Sequence, residues 1–189
     1  MSATDMSEPK PHVLLLTGAP GIGKTTVIRR VAEKLQDRRL RGFYTEEIRE
    51  RGSRKGFRLV DLSGRERVIA HTGFGTGPRV GRYGVDVGAI DHAASALSPD
   101  RGVDACLVDE IGKMECFSGR FVNAVRALLD ARTPVVATVA MRGGGLIAEV
   151  KSAKQCDLWE VTHANRDQLP ARITDWLEAI WAEVDEPAR

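Results

Sequence analysis

The chain has 189 residues, a formal net charge of +2 and 42% hydrophobic residues. That length favours one domain, able to bury roughly 70% of its unfolded surface. The charge is too balanced to single out a polyanionic partner, and no run approaches the roughly 18 apolar residues a membrane span needs.

Residues 1–11 are polar, lack the apolar core of a secretory signal and are expected to be a flexible leader. Residues 12–184 are expected to form a single domain, and residues 185–189 a frayed tail. Residues 12–16 are a short apolar run of the kind a buried parallel strand uses. Residues 24–36 then change period: Val27, Ile28, Val31, Ala32 and Leu35 fall on one helical face. Residues 42–49, 57–62 and 68–71 are β-like runs divided by the turn signals Arg51-Gly52-Ser53 and Ser63-Gly64. They predict an antiparallel hairpin appended to a main sheet. Helices are expected over residues 86–97, 119–129 and 166–184, and further buried strands over 104–108, 134–139 and 158–162. Trp176 and Trp181 in the last helix are expected to be packing residues. Strand and helix alternate, and the strands are continuously apolar. The chain is therefore read as α/β, a three-layer fold with a mostly parallel sheet covered by helices on both faces. In such a sheet ligands bind beyond the carboxyl ends of the strands.

Cys106, Cys116 and Cys156 are odd in number, far apart and without a CxxC pair. They fit reduced thiols in a cytoplasmic protein. The four histidines show no metal-ligand spacing.

The strongest motif is Gly18-Ala19-Pro20-Gly21-Ile22-Gly23-Lys24-Thr25. It satisfies GxxxxGK(S/T), the Walker A phosphate loop, after a strand and before a helix. The glycines let successive backbone N–H groups converge into an anion nest, and the helix start adds its unpaired N–H groups. Lys24 is expected to reach the β- and γ-phosphate oxygens, Thr25 to ligate Mg²⁺ and Thr26 to support the α-phosphate.

The second element is Ala105-Cys106-Leu107-Val108-Asp109-Glu110, a hydrophobic strand ending in two carboxylates. This is a Walker B pattern, with Asp109 expected to hold Mg²⁺. Neighbouring residues on a strand point to opposite sides, so the two acids are expected to differ in role. Glu110 is the candidate to orient and deprotonate the attacking water. Lys24 and Glu110 are thus the expected catalytic pair. Glu115 is read as structural.

The segments TGAPGIGKTT (17–26), GFYTEEIR (42–49), GFRLVDL (56–62), RVGRYGVDV (79–87), LVDEIGKMECFS (107–118), PVVATV (134–139) and THANRDQLP (162–170) carry a resemblance. From about residue 12 to 180 the chain resembles the small P-loop nucleoside triphosphatases, a family that includes the human cancer-related enzyme and archaeal and bacterial relatives. The resemblance implies slow, Mg²⁺-dependent hydrolysis of ATP, GTP and related triphosphates to the diphosphate and phosphate. It also implies a RecA-like sheet order. The family's phosphate loop maps onto residues 18–25 and its acidic motif onto Asp109 and Glu110. Cys116, where the family's pattern has an aliphatic residue, and the glycine-rich run 142–145 depart from it.

Several candidates are open on the sequence alone. Arg79 or Arg82 can serve as an arginine finger or lie solvated on a loop. Glu46 and Glu47 can assist the metal or pair at the surface. Asn165 can cap the last helix, and Asn165 and Arg166 can contact the nucleotide base or ribose, roles that are compatible. Base selectivity is expected to be poor, because no NKxD guanine signature is present. The arginines at 38, 39, 41, 49, 51, 54 and 58, with Lys55, favour a solvated face over a nucleic-acid site, since aromatic stacking partners are few. The alternatives to hydrolysis are a P-loop small-molecule kinase and a nucleotide-switched module binding RNA or protein. No heptad pattern suggests a coiled coil, so a monomer is expected.

Overall fold

The computed structural model describes residues 10–99 and 102–185. Most of the expected leader and the tail beyond residue 185 lie outside the described residues.

Among the described residues nine strands form one sheet in the order β5-β6-β4-β3-β2-β7-β8-β1-β9. Its parallel half comprises β1 (Val13–Thr17), β2 (Leu40–Glu50), β7 (Ala105–Ile111), β8 (Val135–Val139) and β9 (Cys156–Glu160). The central strands β1, β7 and β8 are buried on both sides because both sides are covered. Leu14 and Leu16 join one core cluster, with Leu107 and Val136, under helices α1 (Lys24–Lys34) and α5 (Leu169–Asp185). Val13 and Leu15 join the other, with Cys106 and Val108, under α2 (Val87–Ala94), α3 (Gly119–Asp130) and α4 (Leu146–Ser152). The alternation follows from the two-residue period of a strand. Phe121 on α3 is wholly buried against Phe43 on β2, ring centroids 6.2 Å apart. Burying such a ring stabilises the fold by about 1.5–3 kcal/mol.

The added β-structure is larger than the expected hairpin. It comprises β3 (Ser53–Asp61), β4 (Glu66–His71), β5 (Arg79–Val80) and β6 (Tyr83–Val85), an antiparallel extension of four strands built outward from β2. β5 and β6 are two and three residues long, too short to show a period in sequence. α4 is a further element beyond the sequence reading, because its seven residues follow a glycine run. β9 and α5 begin two residues earlier and three later than expected. Trp181 on α5 packs as a structural residue: its Nε1–H donates to the Asp104 carbonyl at 2.8 Å, and the Arg38 guanidinium lies 4.4 Å from its ring. All three cysteines are free, Cys106 buried and the others half-buried.

Candidate active site

β1, β7 and β8 lie side by side in the sheet, so the segments leaving their carboxyl ends converge. After β1 the chain turns through the phosphate loop and enters α1. Gly23 stands at the helix start with φ 110°, a backbone conformation L side chains avoid. The first turn of α1 presents the unpaired N–H groups of a helix start and its positive end. The Lys24 side chain lies across the loop, its ammonium donating to the carbonyls of Gly18 at 3.0 Å and Ala19 at 3.5 Å. Gly21 and Thr26 are exposed, Ile22 is buried and Thr25 is half-buried.

Thr25 donates its hydroxyl to Asp109 Oδ2 at 2.6 Å, across 84 residues of sequence. The phosphate loop's end and the end of β7 are thereby joined. Asp109 is 1% exposed. The same Oδ2 accepts from the Thr45 hydroxyl at 3.1 Å and the Thr45 N–H at 3.3 Å. Its other oxygen accepts from the Thr138 hydroxyl at 2.6 Å. A buried carboxylate is costly unless hydrogen-bonded, and three hydroxyls from three elements meet that need here. The paired Thr25 hydroxyl and Asp109 carboxylate are hard oxygen donors of the kind Mg²⁺ takes. Among the described residues no group of three or more His, Cys, Asp or Glu side chains is placed to hold a metal.

The β7–β8 register shifts between Val108 and Ile111, and the Asp109–Glu110 peptide bond is cis. Glu110 is half-buried. Burial raises its pKa; the Lys24 charge lowers it, and the Asp109 charge raises it. Behind it lies Glu115, 5% exposed, on the helical turn Glu115–Phe117. Burial drives the Glu115 carboxyl up to about 8, against the lowering effect of backbone hydrogen bonds at Glu115 and Gly112. The charges of Glu110 and Asp109 push it the same way as burial does. Gly112 separates the two glutamates: a Cβ there would stand 2.8 Å from Glu115 Oε2 and 3.2 Å from Glu110 Oε1.

Asn165 and Arg166, in the turn ahead of α5, divide. Arg166 reaches the phosphate loop: its Nη1 donates to the Ile22 carbonyl at 3.3 Å. The Asn165 amide is taken up within its own turn. Its Oδ1 accepts from Thr162 N–H, and its Nδ2 donates to the Glu160 carbonyl, both at 2.8 Å. It does not cap the helix through its side chain.

Glu46 lies between Arg58 at 2.7 Å and Arg29 at 3.4 Å, and Glu47 between Arg49 at 2.5 Å and Arg54 at 2.6 Å. Both are surface ion pairs. With Arg39 on Asp104 at 2.8 Å, they also neutralise much of the basic run. Arg82 donates to the Tyr83 hydroxyl at 3.1 Å and the Arg54 carbonyl at 2.5 Å. Thr45 and Thr138 were missed by sequence reasoning. Thr138 carried a signal: a lone hydroxyl in the otherwise apolar Val135–Val139 strand needs a buried partner.

Residues 13–174 match the family model described as NTPase. The chain is 41% identical over 179 residues to nucleoside-triphosphatase THEP1 of Methanopyrus kandleri, covering 89% of this chain and 98% of that one. It is 36% identical over 185 residues to the cancer-related nucleoside-triphosphatase homolog of Bos taurus, covering 89% and 97%. The crystal structure of THEP1 from Aquifex aeolicus superposes with a TM-score of 0.79 at 35% identity, covering 88% of this chain and 99% of that one. The solution structure of a human cancer-related nucleoside triphosphatase gives 0.75 at 34% identity, covering 90% and 98%. A phosphate loop bonded to a buried acidic strand, on a nine-stranded sheet shared along nearly the whole chain, places this protein in the NTPase family that includes THEP1.

Proposed function

We propose that the protein is a Mg²⁺-dependent nucleoside triphosphatase that converts ATP, GTP and other nucleoside triphosphates to the diphosphate and phosphate. The 2.6 Å bond between Thr25 and Asp109 carries this reading, because it unites the phosphate loop with the acidic strand. Residues 18–26 hold the phosphates through backbone N–H groups, the Lys24 ammonium and the Thr26 hydroxyl. Thr25 and Asp109 hold Mg²⁺, which when bound neutralises charge on the β- and γ-phosphate oxygens. Thr45 and Thr138 keep the Asp109 carboxylate fixed. Glu110 orients the attacking water and takes its proton as the water oxygen bonds to the γ-phosphorus. The bond to the β-phosphate oxygen breaks, and the nucleoside diphosphate leaves. Burial favours that step by making Glu110 a stronger base than a solvated carboxylate.

The Arg166 bond to the Ile22 carbonyl at the phosphate loop supports a role in which its planar guanidinium stacks on the base without reading its edge. Asn165 contributes through the turn that presents Arg166. Broad base use follows. No helix among the described residues is long and apolar enough to cross a membrane. Free thiols fit a reducing cytoplasm. Phosphate release from ATP, GTP, CTP and UTP, with Mg²⁺ and with excess EDTA, tests the proposal. The expected result is release from all four within about tenfold of one another, abolished by EDTA. Metal-independent release would refute the metal assignment, and confinement to one nucleotide would refute broad base use.

A further inference from the structure

A second cleft opens at the carboxyl ends of β7 and β8, close past the acid pair. Its volume is about 440 Å³, inside the range of small-molecule sites. It is lined by Arg79, Gly81, Lys113, Phe117, Gly143 and Gly144, among others, and no carboxylate lines it. Arg79 comes from β5, the far edge of the sheet, with four strands between it and β7. The twisted sheet therefore curls its outermost turn back over the site. Lys113 is exposed and makes no hydrogen bond or ion pair among the described residues. Arg79 is aimed by two backbone carbonyls, of Phe74 at 3.0 Å and of Arg82 at 2.7 Å, which leave its charge uncancelled. Gly81 and Gly144 add bare backbone with open space where a side chain would stand. Phe117, 43% exposed, lines the same cleft.

We propose that this cleft is a second ligand site, for a phosphate monoester attached to a compact ring. Two cations without a carboxylate partner suit a dianionic group. Glycine backbone admits close approach of its oxygens, and Phe117 suits the ring. The cleft is separate from the phosphate loop, so nucleoside diphosphate and monoester are held together. Lys113 follows Gly112, where a Cβ would stand 3.2 Å from Glu110 Oε1, so the cleft adjoins the segment that leaves β7.

The probe is AMP, with adenosine as the control lacking phosphate. Calorimetric titrations are run on protein saturated with Mg·ADP and, separately, on the Lys24→Ala variant. Saturable AMP binding is expected in both, with adenosine at least about tenfold weaker. Arg79→Ala and Lys113→Ala are each expected to weaken AMP at least about tenfold while ADP affinity is unchanged. No AMP binding in either protein would overturn the proposal. So would equal binding of adenosine, or AMP binding indifferent to Arg79 and Lys113. ADP affinity, measured in its own titration, judges the proposed nucleotide site independently.

Discussion

Thr138 is the most exacting test of how the acidic strand is held. Its hydroxyl is fully buried and donates to Asp109 Oδ1 at 2.6 Å. Valine has nearly the same shape, so Thr138→Val removes the donor without opening a cavity. Hydrogen bonds to charged groups contribute about 1.5–3 kcal/mol, and a buried acceptor left unpaired costs a similar amount. Oδ2 keeps its Thr25 and Thr45 partners, so the loss is confined to one oxygen. Urea unfolding is expected to show a stability loss of about 1.5–3 kcal/mol with an unchanged slope. A double-mutant cycle with Asp109→Asn isolates the pair: once the carboxylate is replaced by the neutral amide, the same Thr138 change should cost less than half as much. A loss under about 0.5 kcal/mol in the native background would show that Thr138 does not hold the carboxylate.

Lys24→Ala is expected to reduce Mg·ATP affinity at least about 100-fold, since two charge-assisted phosphate contacts are lost; calorimetry with an unhydrolysed analogue reads it. Glu115 predicts a pH effect on stability. Its folded pKa of about 8 lies above the ordinary 4.5, so its stabilising contribution is complete below about pH 4.5 and is lost as pH rises to about 8. Glu115→Gln should therefore gain on the wild type as pH rises through that window, by at most about 1.4 kcal/mol per unit, and a pH-independent difference would refute the buried-acid reading. Burial pushes the thiols of Cys106, Cys116 and Cys156 up to about 11. A disulfide reagent at pH 8 should label the native protein roughly 100-fold more slowly than the unfolded chain, and one thiol reacting at the unfolded rate would contradict that placement.

The phosphate loop and the Asp109–Glu110 strand were legible because their spacing is dictated by local geometry: a strand, a glycine turn and a helix start. The centre of the parallel half, β1, β7 and β8, was legible because burial on both faces leaves a nearly unbroken apolar run. The four-stranded extension reads as a hairpin in sequence, since β5 and β6 together hold five residues and are defined by their partners, β6 on β4 and β5 on β6, rather than by their own pattern. Thr45 and Thr138 stayed hidden for a related reason. Their partner, Asp109, lies 64 and 29 residues away, and only the strand register brings the three together. Glu46 and Glu47 take the surface ion pairs that the sequence allowed, and Arg82 is engaged by the Tyr83 hydroxyl and the Arg54 carbonyl.

The central claim, that Glu110 activates water beside a nucleotide held by the phosphate loop and Asp109, is tested most directly by comparing the wild type with Glu110→Gln. Phosphate release from Mg·ATP and Mg·GTP is measured without any added acceptor, alongside affinity for an unhydrolysed analogue. The account predicts slow release from both nucleotides by the wild type, and a loss of at least about tenfold in the variant with analogue affinity kept. Normal turnover by Glu110→Gln would remove Glu110 from the chemistry, and no release by a wild type that still binds nucleotide would contradict hydrolysis itself.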